Sequence, residues 1–524
     1  MSGGIVNGWV ETNLGTVSTH PQYGWTCSST KNGSLKLLRT TDISSGKVDW
    51  DDVPYCSAVP DQIEKFVLGK NDIVVSRAGS IGVSYCLSDS DLEYKAVFAS
   101  YLIRFRPLIP AAFVYYYLKS SAYWQFISAS QLGIAVPNVN ASKLAELPLP
   151  LPPLNEQKRI VAKLDAIMPR IDSVKERLEK IPAILKRFRQ SVLTAAVTGK
   201  LTEKWREEHP EVESVEALLE KARGFKKALH QNTCIAEKIA VTQKKKTCFF
   251  REEEAEIEGI ELPRSWNTTY LGNISWVQGG VQKTPKRKPV NNFYRYLSVA
   301  NVYRGFLKLD NVSSFEATES EFDQYKLIKG DLLIVEGNGS AGEIGRCAIW
   351  SGEIEKCIHQ NHIIRARPVS SLLDSSYSML FFNSNFGIKI MMGIASTTSG
   401  LYTLSVSKVN NLPIPLPPLE EQKEIVRQVD KLFALADKVE EHYQKAWARV
   451  DALSQSVLAK AFRGELVPQD PDDEPAEKLL QRIQEEKEKM ENELKNASRS
   501  ARGTRRNGAK MQHTRPEEKQ AGEP

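Results

Sequence analysis

The chain has 524 residues, of which 41% are hydrophobic and 26% charged, and this composition is ordinary for a globular protein of roughly three or four domains. Its net charge of +6 is too small to indicate a nucleic-acid partner by itself. The sequence contains no apolar run of the roughly 18 residues that span a membrane. The first residues lack the charged and apolar regions of a secretory signal, so a cytoplasmic protein is expected.

The chain repeats one plan twice, and each copy begins with a strand-rich segment. Residues 1–146 form the first head and residues 259–411 form the second head. Short patterns recur in both heads in the same order: "LIRFRP" ending at Pro107 matches "IIRARP" ending at Pro368. The heads share a skeleton but little else in sequence. The recurrence predicts two related α/β domains.

A proline run followed by a long helix comes after each head. The stretches "LPLPLPPLNEQKRIVAKLD" (147–165) and "LPIPLPPLEEQKEIVRQVD" (412–430) are identical at 13 of 19 positions, at a constant offset of 265. Proline cannot donate to a strand ladder, so we expect each run to end its head and to aim the helix. We name residues 147–200 the first arm and residues 412–466 the second arm.

The apolar residues of both arms recur every 3.5 residues, which is typical of a coiled-coil seam. Pro169 and Pro182 lie inside the first arm and should kink it or cost it a turn. If the arms pack antiparallel, the heads lie at opposite ends of a rod and are related by a pseudo-two-fold axis. The predicted seam contains Ile160, Leu164, Ile167, Ile171, Val174, Leu178, Ile181, Leu185, Phe188, Val192, Ile425, Val429, Leu432, Val439, Val450, Leu453 and Val457, with Ala436, Tyr443 and Ala446 completing the second arm.

Each arm is followed by a second helical segment. Residues 201–258 form a spacer before the second head, and residues 467–495 form a C-terminal helical segment with a similar pattern around Leu479. Residues 496–524 carry seven Lys or Arg against three Glu and few apolar residues, a composition typical of disorder. Non-specific attraction to DNA and a solubilising role are both open for this tail.

Three kinds of polar segment are candidates for contact with DNA. The loop 282–289 carries cations suited to phosphates. Turns after a buried strand in each head carry Arg, Asn and Glu, which can read guanine, adenine and cytosine, and polar loops precede both arms. Solvated loops and ordinary turn chemistry are the structural alternatives. The candidates are Lys283, Lys286, Arg287 and Lys288 in the loop, Arg77, Ser80, Glu336, Asn338 and Ser340 in the turns, and Gln131, Asn138, Asn140, Thr397, Thr398 and Tyr402 before the arms.

Catalysis by this chain alone is not expected. The segment "GNGSAG" (337–342) lacks the lysine of a phosphate-binding loop, and no dinucleotide-binding or amino-methyltransferase motif occurs. The seven cysteines form no C-x-x-C pair, which argues against a disulfide framework and a structural zinc. Cys357, His359 and His362 lie close together, but we expect no metal there. Their counterparts in the first copy cannot bind one, being Ala96, Phe98 and Tyr101.

These features together resemble the specificity (S) subunit of type I restriction-modification systems. The likeness rests on the proline phrase with E-Q-K-x-I-V, the heptad arms, "LKRFRQSVLTAAVTGKLTEKW" (185–205), "SVLAKAFRGELVPQ" (456–469), "GDLL" with a following "NGS" (330–340) and "TTSG" (397–400). It covers nearly the whole chain to about residue 495. It implies an α+β fold with two target-recognition domains, joined by two long helices that form an antiparallel coiled coil with a pseudo-two-fold internal repeat.

The resemblance also implies a function. Each head would read one half of a split site in double-stranded DNA, and the arms would set the spacing and dock two methyltransferase (M) subunits and two restriction/translocase (R) subunits. S-adenosylmethionine, ATP and Mg²⁺ would belong to those partners, with no cofactor in this chain. Recognition residues vary within the family, so no DNA contact is carried over by motif. A two-headed scaffold that binds proteins instead of DNA is the alternative.

Overall fold

The structure is a computed structural model, and its tertiary contacts divide the chain into two units. Unit 1 combines Met1–Leu178 with Lys445–Pro524, and unit 2 is Glu179–Gln444. The expected α+β class, with two strand-rich parts and long helices, is confirmed. The structure describes residues 6–130, 138–236, 250–253, 255–282, 284, 290–338, 343–398, 401–490 and 492–493, with only the backbone described for 229–236, 338, 396–398 and 401.

In chain order, unit 1 begins with the strands and short helices of the first head and continues into the first arm. Its strands are β1 (Val10–Asn13), β2 (Gln22–Tyr23), β3 (Ser29–Thr30), β4 (Lys36–Leu38), β5 (Tyr55–Cys56), β6 (Ile73–Ser76), β7 (Ser84–Cys86), β8 (Ala96–Phe98), β9 (Leu102–Phe105) and β10 (Pro148–Leu151). Its helices are α1 (Ala111–Tyr117), α2 (Ser121–Ser130), α3 (Ala141–Ala145) and α4 (Leu154–Glu179).

Unit 2 contains the rest of the first arm, the spacer, the second head and the beginning of the second arm. Its strands are β11 (Asn267–Tyr270), β12 (Ser275–Gly279), β13 (Phe293–Leu297), β14 (Ser313–Glu316), β15 (Leu332–Val335), β16 (Gly337–Asn338), β17 (Cys347–Ile349), β18 (Cys357–His359), β19 (Ile363–Pro368), β20 (Ser396–Thr398), β21 (Leu401–Thr403) and β22 (Pro413–Leu416). Its helices are α5 (Ile181–Val197), α6 (Glu203–Glu208), α7 (Val215–Ala236), α8 (Leu271–Ile274), α9 (Glu319–Tyr325), α10 (Ser375–Asn383), α11 (Asn385–Ile394), α12 (Val406–Asn410) and α13 (Leu419–Phe462), which continues into unit 1.

The two heads share one sheet topology. The order β2-β9-β6-β7 in the first head corresponds to β12-β19-β15-β17 in the second. The central strands β6 and β15 are buried at every residue, as expected for apolar, β-branched runs covered on both faces. A parallel pair also recurs, β4 with β8 and β13 with β18. The internal repeat therefore extends to strand pairing.

The proline runs are strands of the heads, which differs from the expectation that they only end them. β10 pairs antiparallel with β1, and β22 pairs in the same way with β11. Prolines alternate with leucine or isoleucine in both runs, so the missing N–H groups fall on the side away from the partner strand. The intervening residues join the ladder: Leu147 accepts from the N–H of Leu14, and Leu412 from that of Leu271.

The long helices run antiparallel within each unit. In unit 1, Lys175 near the end of α4 contacts Asp451 at 2.8 Å, and Arg159 near its start contacts Asp473, beyond the end of α13, at 2.6 Å. In unit 2, Arg189 of α5 contacts Asp437 of α13 at 2.9 Å. Thr202, beyond the end of α5, and Glu421, at the start of α13, lie 2.8 Å apart. In both units, later residues of one helix contact earlier residues of the other, so the two helices run in opposite directions.

Proline interrupts the first arm at one of the two expected places. α4 continues through Pro169. The arm breaks at Lys180, and Pro182 lies in the first turn of α5, where its missing N–H costs no helical hydrogen bond.

Among the described residues, no helix is both long and apolar enough to cross a lipid bilayer.

The burial of the predicted seam is uneven. Three residues assigned to the seam, Val174, Val439 and Leu453, are 43%, 41% and 53% exposed. Ser454 is buried in place of Leu453, because the buried face has moved by one residue along α13. Buried seam residues are Ile160, Leu164, Ile171, Leu185, Val192, Ile425, Val429 and Ala436, and half-buried ones are Ile167, Leu178, Ile181, Phe188, Leu432, Tyr443, Ala446, Val450 and Val457.

Candidate nucleic-acid interface

Arg77 of the first head lies where separate segments of the chain meet. It directly follows β6, and its N–H donates to the carbonyl of Tyr101 at 2.9 Å. Its Nε donates to Oδ1 of Asn138 at 3.3 Å, and its guanidinium lies over the ring of Tyr23, 5.0 Å from the centroid. We name Tyr23, Arg77, Tyr101 and Asn138 the first corner. The structure thus joins two segments that the sequence presented as separate candidates.

Glu336 occupies the equivalent place in the second head. It directly follows β15, and its N–H donates to the carbonyl of His362 at 2.9 Å. Its Oε2 lies 2.8 Å from Nδ1 of His362. Its carbonyl accepts from the N–H of Leu404, as the carbonyl of Arg77 accepts from that of Val139. We name Glu336 and His362, with the adjoining strands β16, β20 and β21, the second corner.

The strands of the second corner bring two further candidate segments together. β16 pairs with β21, which places Asn338 opposite Tyr402. β20 pairs with the other edge of β21, which places Thr397 opposite Tyr402 and Thr398 opposite Leu401. Tyr402 is half-buried against the core of the head. The turn after β15 and the loop before the second arm are therefore one surface.

The remaining first-head candidates have ordinary structural surroundings. Asn140 is the N-cap of α3, where its Oδ1 accepts from the N–H of Lys143 at 2.7 Å. Ser405 caps α12 at the equivalent place. Ser80 is exposed in a turn in which Gly79 has φ +72°, and its carbonyl accepts from the N–H of Val83. Turn and cap chemistry explain Asn140 and Ser80.

Several candidates cannot be placed. Gln131, Lys283, Lys286, Arg287, Lys288 and Ser340 lie outside the described residues, and the side chains of Asn338, Thr397 and Thr398 do as well.

The flanks of the basic loop 282–289 are held by the core of the second head. Val281, on one side, donates its N–H to the carbonyl of His359 at 2.9 Å. On the other side, Glu316 accepts from the N–H groups of Val290, Asn291 and Asn292 at 2.8, 3.2 and 2.9 Å. These bonds, the one from Val290 foremost, hold the pKa of Glu316 below its ordinary value.

The three residues considered for a metal do not face one another as ligands. Cys357 and His359 are buried in β18, and burial lowers the pKa of His359 to about 3, so its ring is neutral near pH 7. The side chain of His362 is 57% exposed and contacts Glu336. In the part of the chain that the structure describes, no group of three His, Cys, Asp or Glu side chains is arranged to hold a metal ion.

Three residues of the corners were not among the interface candidates predicted from the sequence: Tyr23, Tyr101 and His362. Tyr101 directly precedes "LIRFRP", and His362 directly precedes "IIRARP". The repeat could have identified two of them, because it aligns Tyr101 with His362 and both are large polar residues of different chemistry.

Comparisons with known proteins show the family to which the chain belongs. A family model described as the type I restriction modification DNA specificity domain matches residues 30–183 and 263–446. The chain is 33% identical over 510 residues to the type I restriction enzyme EcoKI specificity subunit of Escherichia coli (strain K12), covering 93% of this chain and 97% of that one. It is 30% identical over 443 residues to the StySPI specificity subunit of Salmonella potsdam, covering 83% of each.

A solved structure gives the same fold. A chain from a structure concerned with complex assembly and conformational transition of the type I R-M system superposes with a TM-score of 0.56 at 18% identity. The match covers 88% of this chain and 100% of that one. Two heads with one backbone plan and different outward side chains, the doubly matched family model and the long alignments all agree: this chain belongs to the type I restriction-modification DNA specificity family.

Proposed function

We propose that this chain is the DNA sequence-specificity subunit of a type I restriction-modification complex. Each head reads one half of a bipartite site in double-stranded DNA. The arms hold the heads at a fixed spacing, and they dock two methyltransferase subunits and two restriction/translocase subunits. The complex acts in the cytoplasm.

One observation carries the proposal: the backbone of the two corners is the same, but the side chains on it differ. Arg77 and Glu336 hold equivalent positions and have opposite charge. Tyr101 and His362 also hold equivalent positions, and their side chains differ in chemistry. Equal scaffolds with unequal polar side chains are what a protein needs to read two different half-sites.

The arms support the docking of two copies of one partner. Their first 19 residues are identical at 13 positions, and each arm begins with the same buried contact. Nε1 of Trp9 donates to Glu156 at 3.0 Å, and Nε1 of Trp266 donates to Glu421 at 2.8 Å. Repeated surfaces suit repeated subunits, while the heads are free to differ.

The proposal assigns no reaction to this chain. S-adenosylmethionine serves the methyltransferase partners, and ATP and Mg²⁺ serve the restriction partners. The curated relatives are named specificity subunits. Methyl transfer by the purified single chain, supplied only with S-adenosylmethionine and DNA, would contradict this assignment.

The test is selection of DNA by the chain in complex with its methyltransferase subunits. A pool with two randomised segments separated by spacers of several lengths is bound, recovered and sequenced. We expect one split sequence with one spacer length to be enriched. The methyltransferase subunits alone, at the same concentration, are the control and should enrich none.

The alternative function, a two-headed protein-binding scaffold, gives a different result. A scaffold would form the same complex with the methyltransferase subunits and enrich no sequence. That outcome would overturn the proposal.

A further inference from the structure

The strand register places two equivalent residue pairs at the end of the central sheets. In the first head Ser76 pairs with Leu102, so the next pair outward is Arg77 with Tyr101. In the second head Val335 pairs with Ile363, so the next pair outward is Glu336 with His362. Both pairs lie immediately beyond the ladder, where side chains leave the core and reach solvent.

Both pairs are accessible to a ligand. Tyr101 is 60% exposed, the side chain of His362 is 57% exposed and that of Glu336 is 29% exposed. Their backbones are nevertheless fixed, because the N–H of Arg77 and that of Glu336 each donate across the sheet at 2.9 Å. Exposed polar groups on a rigid strand end are suited to recognition, because little conformational freedom is lost on binding.

The side chain of Arg77 is already held in one orientation. Asn138 accepts from its Nε at 3.3 Å, and the ring of Tyr23 lies beneath the guanidinium at 5.0 Å. Tyr23 is itself fixed, since its hydroxyl accepts from the N–H of Ala141 at 3.0 Å. The hydrogen bond to Asn138 uses Nε and not the two terminal nitrogens of the guanidinium. A planar pair of N–H donors matches O6 and N7 of guanine in the major groove.

The carboxylate of Glu336 is held in a similar way by a different residue. Nδ1 of His362 contacts Oε2 at 2.8 Å. A carboxylate has a second oxygen, which can accept from the exocyclic amino group of cytosine or adenine but not from guanine O6 or thymine O4. The two corners thus select opposite hydrogen-bonding partners.

We infer that Arg77 and Glu336 each determine one base of the bipartite site: a guanine in the half read by the first head, and an amino-bearing base, cytosine or adenine, in the half read by the second. His362 is a positioning residue for Glu336, and Asn138 and Tyr23 are positioning residues for Arg77. This inference rests on the proposed function.

The experiment sequences the methylated sites produced by the complete complex of this chain with its methyltransferase subunits. Arg77→Gln should relax or change one base in one half-site and leave the other half-site unchanged. Glu336→Gln should do the same in the other half-site. The expected loss of discrimination at the affected base is roughly 10- to 100-fold, the scale of one good base contact.

The role of His362 has its own readout. His362→Ala should weaken discrimination at the same base that Glu336→Gln affects, and His362→Asn, which keeps a donor, should restore part of it. Glu355→Gln, which removes an exposed carboxylate of the same head away from the corner, should change neither half-site. Thermal melting of each variant identifies any that fails to fold, and Arg77→Lys and Glu336→Asp then replace it.

The outcomes distinguish a failure of this inference from a failure of the proposed function. If the unsubstituted complex methylates a bipartite site and folded variants at Arg77 and Glu336 leave both half-sites unchanged, the inference is overturned and the proposed function stands. If the unsubstituted complex methylates no bipartite site, both fall. A changed base in both half-sites from a single substitution would also overturn the inference.

Discussion

At the scale of single residues, Asp331 shows what the repeat in the sequence can and cannot reveal. Its carboxylate accepts from Nε of Arg367 at 2.6 Å and from the N–H of Ile328 at 2.8 Å. Asp72 does the same in the first head, with Arg106 at 2.8 Å. The repeat aligns Arg106 with Arg367 through "LIRFRP" and "IIRARP". It could not pair the aspartate with the arginine, because they are joined only when neighbouring strands of the sheet form.

Removing this carboxylate should destabilise its unit strongly. The side chain of Asp331 is fully buried and pairs with Arg367, whose side chain is 23% exposed. Its negative charge also acts on Arg365, which is 1% exposed and whose pKa burial lowers to about 10. Asp331→Ala leaves Arg367 without its partner and removes the negative charge near the buried Arg365, and breaking a largely buried ion pair in this way costs about 3–5 kcal/mol. We expect a lower urea midpoint for the full chain and faster hydrogen exchange in β15.

The matched control for that substitution is an exposed aspartate of the same head. Asp323 pairs with Lys326 at 3.0 Å, and its side chain is 64% exposed. Exposed pairs contribute about 0–1 kcal/mol, so Asp323→Ala should leave the midpoint nearly unchanged. Equal effects of the two substitutions would contradict the role assigned to Asp331.

The interface residues also show that the sequence does not reveal which side chains become neighbours in the folded chain. Arg77 and Glu336 were predicted because arginine and glutamate after a buried strand have base-reading chemistry. Their neighbours Tyr101 and His362 come from strands distant in sequence, and the cross-strand register alone brings them together. Local patterns predicted the residues with distinctive chemistry, and tertiary pairing supplied their partners.

At the scale of elements, the second arm follows a straight-helix period more closely than the heptad predicted from its sequence. A strict heptad drifts by about 20° per repeat on an ideal helix. From Ile425 to Leu453 there are four heptads, so Leu453 has turned by about 80° from the buried face. Ser454, one residue later, returns to it and is 5% exposed. The existence of the helix was predictable from apolar spacing, but the phase far along a 44-residue helix was not.

The seam can be tested by placing a charge at two of its positions. Leu164 is fully buried in one cluster with residues of the first head and with Leu458 and Ala461 of α13, whereas Val174, on the same helix, is 43% exposed. Leu164→Asp should therefore lower the stability of unit 1 by several kcal/mol, about 4 for an unpaired carboxylate in a packed core. Val174→Asp should change it by less than about 1 kcal/mol.

Thermal melting with hydrogen exchange in α4 measures both variants. Because Leu164 packs against the head as well as against the other arm, the loss should extend to the amides of α1. A melting temperature unchanged by Leu164→Asp would remove this residue from the core of unit 1.

The proline runs are a further case in which a local sequence rule predicted only part of the structure. The missing N–H groups correctly excluded a central strand. The alternation of proline with leucine or isoleucine also allows an edge strand, and both runs form one. Only the presence of a partner, β1 or β11, decided between an extended linker and a strand.

At the scale of the whole chain, the units do not follow the linear order of segments. Unit 1 contains both ends of the sequence, Met1–Leu178 and Lys445–Pro524, and the division cuts both arms. The reason is physical: α13 runs antiparallel to α4 in this unit, so its end returns the chain to the first head. The sequence predicted the segments and their repetition, but linear order could not show which segments share a core.

The C-terminal helical segment, residues 467–495, is helical over 476–490 and should accordingly contribute to the stability of the first head. Ala476, Leu479 and Ile483 are buried in the same cluster as Trp9 and Leu14. The N–H of Ala476 also donates to the carbonyl of residue 8 at 3.1 Å. Burying leucine and isoleucine side chains contributes about 1.5–3 kcal/mol each. A chain ending at residue 474 should therefore lose about 3 kcal/mol or more from unit 1.

A second truncation isolates the effect of the segment from that of the tail. A chain ending at residue 495 keeps the buried contacts and removes the basic tail, so it should melt like the full chain. Hydrogen exchange should rise in β1 and β10 only for the shorter chain, while the amides of β15 in unit 2 serve as an internal reference. If both truncations melt alike, or if exchange rises equally in β1 and β15, the ends of the chain do not stabilise the first head in this way.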